Sequence, residues 1–269
     1  PSSRRPQRKT RTHVASAADG NPGIAVALAD GLTNQQRAGN APISVVPRPM
    51  GALADELQKR LREYGDDVCQ ALVVAAAERG CSTAAVRAAL EALGESASGF
   101  EAAEAHGLID NLGARFTFTD PWIRAVAYHL VAPTSRRAAH RALAAFFSEP
   151  TQGSERAWHL AAGADGPSDA IAEALRLVAR DTARRGGSSS AAQIFEQAAD
   201  LSASPTERQR NLKSALQHWI DAGSIKGVTR VADQLDPADD DGAAARAEAV
   251  HYIHGRDGSP DQASQVPGT

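Results

Sequence analysis

The sequence predicts a mainly α-helical chain. Apolar residues recur at i, i+3, i+4 and i+7 along most of its length, alanine fills these periodic segments, and aromatic residues are only 4% of the total. A sheet protein would instead need alternating Val, Ile, Tyr and Phe. A length of 269 residues with 42% hydrophobic and 23% charged side chains is enough for one or two cores. The mean hydropathy of −0.34 is ordinary for a water-facing globular protein.

Residues 1–19 read as a disordered basic tail. Gly20-Asn21-Pro22 then opens a helix carrying Ile24, Val26, Leu28 and Leu32, over residues 20–33. Residues 34–50 hold Pro42, Pro47 and Pro49 without helical period and read as a linker. From Gly51 three helices follow: Leu53, Leu57 and Leu61 mark the first, Val68, Leu72, Val73 and Ala76 the second after Asp66-Asp67, and Val86, Leu90 and Leu93 the third after a Ser82-Thr83 cap. A fourth, Ser98–His106, ends at Gly107. Leu108-Ile109 and Arg115–Thr119 then flank Asn111-Leu112-Gly113, a turn with hairpin chemistry. The alternation of Phe116 and Phe118 stops at Asp120-Pro121, a capping carboxylate followed by proline at the first helical position. Ile123, Val126, Ala127 and Leu130 form the next stripe, and Ala139, Leu143 and Phe146 another after Pro133. Helices followed by a two-stranded hairpin predict a winged-helix module over residues 51–148.

Beyond it the pattern is helical pairs: Ala170–Arg185, Ser189–Leu201, Pro205–Ala222, a shorter segment in Ile225–Leu235 and a weaker one in Ala243–His254. Short Gly-containing loops join them at Gly186-Gly187 and Gly223. This predicts tetratricopeptide-like helical repeats over residues 154–254, although no clean 34-residue copy can be laid on them. Residues 255–269 read as a disordered tail.

The net charge is −3, and Arg4, Arg5, Arg8, Lys9 and Arg11 stand in the first thirteen residues without an acid, so removing those five cations leaves −8 for the rest. An acidic body argues against broad phosphate-backbone binding. The longest apolar run, Ala71–Ala77, is far shorter than the roughly twenty residues of a bilayer span. Val14-Ala15-Ser16-Ala17 resembles a cleavage site but lacks the hydrophobic segment that a signal peptide needs. Cys69 and Cys81, with no CxxC, read as reduced thiols. The expected location is cytoplasmic, with no membrane contact. A start at Pro1 and a single methionine, Met50, lead to the expectation of a fragment or a processed piece.

Five segments, taken in order, resemble the large LuxR-type (MalT-like, ATP-binding) transcriptional regulators of the signal-transducing ATPase class. They are Gly20-Asn21-Pro22 with its helix; Thr117–His129, against the family's R-F-R-H-P-L-V-R-x-A-V-Y-H; the run Arg136–Ala144; Arg156–Ala162; and Ala183–Gly187 leading into Ala191–Leu201. The resemblance covers about residues 14–222 and implies the middle of such a regulator. In the family the G-x-P turn lines the nucleotide site, which makes Gly20, Asn21 and Pro22 the cofactor-binding candidates. The family histidine thought to touch the ADP phosphate aligns with Asp120. A carboxylate there repels a phosphate, so Asp120 reads as a helix cap.

None of the four lysines, Lys9, Lys59, Lys213 and Lys226, lies in Gly-Lys-Ser/Thr, so no P-loop is present; nor does any segment past Gly223 resemble the family's DNA-binding helix-turn-helix. The resemblance therefore implies ATP or ADP in the parent protein and no cofactor in this segment. The expected function is regulatory and non-catalytic: relaying a protein partner or a small-molecule inducer, bound on the helical repeats, between an ATPase and a DNA-binding domain that lie outside it. The alternative is a stand-alone helical-repeat scaffold that binds protein.

Residue patterns point the same way. Ser82–Leu93, tested as a DNA-reading helix, offers only Arg87 and Glu91 as charges, so direct DNA binding is not expected. His251 and His254 lack a third metal ligand. His129, His140 and His159 flank apolar stripes and read as hydrogen-bonded partners between helices, since no nucleophile motif accompanies them. Arg136, Arg137 and Arg141 form a small basic face, and Trp158 and Trp219 sit on core-type stripes.

Overall fold

The computed structural model describes Val14, residues 22–37 and residues 48–257. It is mainly helical, and the described residues contain a single two-stranded sheet. Gly20, Asn21, most of the basic tail, the proline-bearing stretch 38–47 and residues 258–269 lie outside the described residues. The chain divides between Asp165 and Gly166 into two compact units.

The first unit begins with α1 (Pro22–Asp30), which buries Ile24, Ala27 and Leu28. Two expectations about this region are corrected. Val14, in the expected tail, is helical and buried in the first core. The expected linker contains α2 (Asn34–Arg37), started by a reciprocal cap in which the Gln36 N–H donates to Thr33 Oγ1 (3.2 Å) and the Thr33 N–H to Gln36 Oε1 (3.0 Å). Arg37 folds back on the carbonyls of Leu32 and Asp30, each 3.1 Å away. Val26 and Leu53, read as stripe residues, are 62% and 61% exposed, because each lies on the side of its helix away from the packed neighbours.

After α3 (Ala52–Arg62), helix α4 (Asp66–Ala77) is the centre of the unit. It packs on α3, α5 (Thr83–Ala92), α6 (Ser98–Ala105), α7 (Pro121–Ala127) and α8 (Pro133–Phe146), and buries every residue from Ala71 to Ala77. Its small side chains let neighbours come close. At Gly99 of α6 a Cβ would stand 2.3 Å from the Asp67 carbonyl oxygen, so only glycine fits.

Beyond α4 the chain turns on Glu78, 2% exposed, whose carboxylate accepts the N–H groups of Gly80 (3.0 Å) and Ser82 (2.7 Å). The turn delivers Ser82 both as the cap of α5, accepting the Ala85 N–H at 3.2 Å, and as an antiparallel bridge to Arg115. The hairpin β1 (Ile109–Asn111) and β2 (Phe116–Phe118) pairs Ile109 with Phe118 and Asn111 with Phe116, so Phe116 meets Phe100 of α6 edge-on at 5.4 Å. A single 3-10 turn, Pro150–Gln152, leads into α9 (Gly153–Ala162), which packs mainly on α8.

The second unit stacks α10 (Asp169–Arg184), α11 (Ser188–Asp200), α12 (Pro205–Asp221), α13 (Ile225–Ala232) and α14 (Asp240–Asp257). Each packs on the next, and α12 also meets α10 and α14. Helix α14 starts earlier and ends later than its weak periodicity predicts, reaching Asp257. The core joins Phe195, Leu212, Leu216, Trp219, Val228, Val231 and Leu235. Gly227 lies inside α13 because the Trp219 indole lies against it: an added Cβ would be 2.4 Å from the ring.

Leu216, 1% exposed, anchors this core, whereas His251 is exposed. In chemical denaturation Leu216→Ala is expected to cost about 2–5 kcal/mol and His251→Ala less than about 0.5 kcal/mol. Gly227→Ala is expected to cost about 1–3 kcal/mol through overpacking against the indole. Equal midpoints for the Leu216 and His251 variants would contradict the packing of α12.

Candidate functional site

Of the four nucleotide-binding candidates, the described residues include Pro22 and Asp120. Pro22 is the first residue of α1 and is exposed, as a proline without an N–H should be at a helix start. Asp120 is extended (φ −138°, ψ 128°) and its Oδ1 accepts the Trp122 N–H at 2.8 Å. It is the N-cap of α7. The geometry gives Asp120 a local structural task.

The helix leading into the hairpin is α6, not the Ser82–Leu93 segment, which forms α5 between the bridge residue and α6. This α6 is the helix that the sequence places at Ser98–His106, directly before the hairpin. Helix α6 carries Glu101 and Glu104, both exposed, and no lysine or arginine. Glu101 pairs with Arg87 at 3.1 Å, and Glu104 accepts from Asn111 Nδ2 at 3.3 Å.

The three arginines of the basic face are used internally. Arg137 Nε donates to Asp165 Oδ1 (2.6 Å), and Arg141 Nη1 donates to Asp165 Oδ2 (2.8 Å) and to the Gly163 carbonyl (3.0 Å). The hydrogen bond from Arg137 is the first reason the exposed Asp165 carboxyl is held below its ordinary value. Arg136 lies over the Tyr128 ring, 5.4 Å from its centroid, and bonds His129 Nδ1 at 3.1 Å. The Arg137 and Arg141 contacts tie the end of α9 to α8, and those of Arg136 tie α8 to the residues after α7.

His140 and His159 meet inside this joint, 0% and 1% exposed, with their Nδ1 atoms 3.0 Å apart, and Tyr128 Oη is 2.8 Å from His140 Nε2. Burial, reinforced by Arg136, takes His140 down to about 4; burial, then His140 and Arg79, take His159 down to about 3. Both are neutral near pH 7. The phenol of Tyr128 is pushed up by the same burial. The expected hydrogen-bonded role between helices is what the structure shows for this pair. Trp158 is half-buried, with Arg79 over its ring at 4.8 Å, a contact between residues too distant in sequence for spacing to reveal.

In the second unit the main polar node is Glu196 on α11. Its carboxylate accepts Trp219 Nε1 (2.6 Å) and both Arg230 Nη2 (2.7 Å) and Nε (3.0 Å), while Arg230 also lies over the Trp219 ring. Trp219 is thus a core side chain with its N–H satisfied. Glu196 and Arg230 were not singled out in the sequence, since neither belongs to a short motif. His251 and His254 are exposed, and no group of three metal-binding side chains occurs among the described residues. A cavity of about 10 Å³ between Arg48, Pro49, Ala54, Gln58, Val126 and His129 has room for one water.

Comparison with protein-family models, with curated proteins and with solved structures finds no match for this chain. The functional reading therefore rests on the sequence resemblance and on the geometry. If Asp120 serves as a cap, Asp120→Ala should cost about 1 kcal/mol and Asp120→Asn only a few tenths, because asparagine still accepts the Trp122 N–H. Equal losses in urea unfolding would show that the carboxylate charge, rather than the cap, matters.

Proposed function

We propose that this chain is a regulatory, non-catalytic segment of a LuxR-type ATP-dependent transcriptional regulator, relaying inducer or partner binding between an ATPase and a DNA-binding domain. The observation that supports this best is the order of elements. We read a central helix, a bridge residue, two helices and a hairpin as a winged-helix module; α7, α8 and α9 follow, and then a stack of helices that we read as tetratricopeptide-like. The same order follows from the family resemblance, which was carried by residues and not by topology.

In this reading the winged helix is a relay and not a DNA reader. Its reading position would be α6, and the exposed Glu101 and Glu104 there repel phosphates, while base recognition calls for arginine, asparagine or glutamine. The second unit offers the partner or inducer surface, with repeat helices stacked on neighbours as in solenoids that bind along an extended face. Catalysis is not part of the proposal: among the described residues the buried histidines bond each other and Tyr128.

The rival is a stand-alone scaffold that binds protein. It draws on the second unit having a core of its own around Trp219. The reading frame preceding the codon for Pro1 separates the two: a P-loop and a Walker B acid in frame support the regulator, and their absence from the full-length gene overturns it. The isolated chain is expected to bind ATP no tighter than about 1 mM and to leave it unhydrolysed, since no phosphate cradle is present in its sequence. A micromolar affinity by titration calorimetry would refute that expectation.

A further inference from the structure

The joint between α7, α8 and α9 contains a line of polar atoms shut away from water: Tyr128 Oη, the two ring nitrogens of His140, and His159 Nδ1, with separations of 2.8 Å and 3.0 Å. Phe147 stacks on the His159 ring at 5.5 Å with the planes 11° apart, and the Trp158 ring stands edge-on to it at 4.7 Å. Two nitrogens 3.0 Å apart form a hydrogen bond only when one carries a proton and the other does not. With both rings neutral the line is satisfied in either direction. His140 Nδ1–H can donate to His159 while Tyr128 donates to Nε2, or His159 can donate to His140 while Nε2–H donates to the phenol oxygen.

Added protons have no place there. With both rings charged, two N–H donors point at each other and the bond is lost. A single added proton already puts a cation into a buried site whose charged neighbours are also cations. These are Arg136, from α8, and Arg79, from the turn after α4; α7 contributes only the neutral Tyr128. The acids on and just after α9, Glu155 and Asp165, are both exposed, and Asp165 is bonded to Arg137 and Arg141 instead of to either ring.

We propose that the His140–His159 pair is a proton-operated latch that holds α9 on α8, closed while both rings are neutral and opened when they are protonated. Helix α9 is suited to open by itself. Within the first unit it packs mainly on α8, and apart from ring contacts with His140 and Phe147 its ties include exposed or half-buried side-chain bonds near its ends: Arg137 and Arg141 to Asp165, Arg141 to the Gly163 carbonyl and Arg156 to the Ala144 carbonyl, besides the contact of Arg79 with Trp158. From α9 the chain continues into the second unit, so the latch acts on the segment that joins the two.

The direction with pH follows from the depressed values of the closed form, about 4 for His140 and about 3 for His159. A released imidazole titrates near 6.5, so the open form binds more protons and closure weakens as pH falls below that point. Above about pH 6.5 the latch is closed and insensitive to pH. Between about pH 6 and 4 the opening equilibrium rises tenfold per pH unit if one ring takes up a proton, and approaches a hundredfold if both do.

Hydrogen exchange read by mass spectrometry on the full chain at about pH 7 and about pH 5, with exchange times scaled for the intrinsic chemistry, tests this. The expected result is a loss of protection of tenfold or more in residues 153–162, with α4 and α12 changed by less than about threefold. His159→Phe keeps a ring to stack on Phe147 and removes one of the two titrating groups. That variant should reduce the pH response of α9 to at most the tenfold per unit of the one remaining imidazole, as should His140→Gln, and the double variant should flatten it. The proposal is overturned if α9 in the unsubstituted chain keeps its protection at the lower pH, or loses it together with α4 in one cooperative unfolding. Should a variant fail to fold, the unsubstituted comparison decides alone.

Discussion

The first unit depends on the complete burial of one helix. From Ala71 to Ala77 no residue of α4 is more than 1% exposed, and five other helices surround it. A helix apolar on all sides has to be interior, and the sequence of this one sets how near its neighbours can come. Alanine on α4 meets alanine, valine and glycine on the surrounding helices: Ala85 and Ala89 of α5, Gly99 and Ala103 of α6, and Ala139 of α8 are all buried. The backbones therefore approach closely, and dispersion over many short contacts replaces the interlocking of large side chains. The low aromatic content follows from this, since the rings would force the helices apart.

Alanine-lined interfaces have a weakness. Successive turns of such a surface look alike, so a helix displaced by one turn loses little apolar contact. The buried polar groups oppose that displacement. Glu78 accepts two specific backbone N–H groups, His140 fits only against Tyr128 and His159, Asn211 donates to Ser202 Oγ at 3.1 Å, and Glu196 gathers Trp219 and Arg230. Each would leave a desolvated partner stranded if its helix shifted, a penalty of about 1–3 kcal/mol per group. The apolar surface supplies attraction and the polar pairs supply register.

This division explains what the sequence revealed and what it hid. Helix positions and the hairpin follow from periodicity and turn chemistry that lie within a few residues of each other, as at Asp120-Pro121 or Asn111-Leu112-Gly113, and the structure has them nearly in place. The cap Thr33-x-x-Gln36 was equally local and was passed over because prolines dominate the stretch after it. The burial of Val14 and the exposure of Val26 and Leu53 depend on which faces meet, and no single helix records that. The pairing of His140 with His159, nineteen positions apart, and of Glu196 with Arg230, thirty-four apart, belongs to the same class. For the candidate site, the cap role of Asp120 was legible, while the internal use of Arg137 and Arg141 against Asp165 was not.

A relay needs an element with two arrangements, because packed interiors do not deform gradually. The α4 bundle is a poor place for one: with neighbours on every side and glycine where contacts are closest, any shift meets backbone. The second unit is built from neighbour contacts along a stack, so a local loosening there weakens adjacent helices without defining a second state. The α8–α9 joint differs from both. One side of α9 is tied through a hydrogen bond whose existence depends on a proton count, and beside its ring contacts the ties at its ends are exposed or half-buried side-chain bonds. Of the interfaces described, it is the one where a change of a few kcal/mol selects between docked and released, the scale on which binding at one site influences another. If this chain transmits a signal, the physical economy of its packing points to that joint as the moving part.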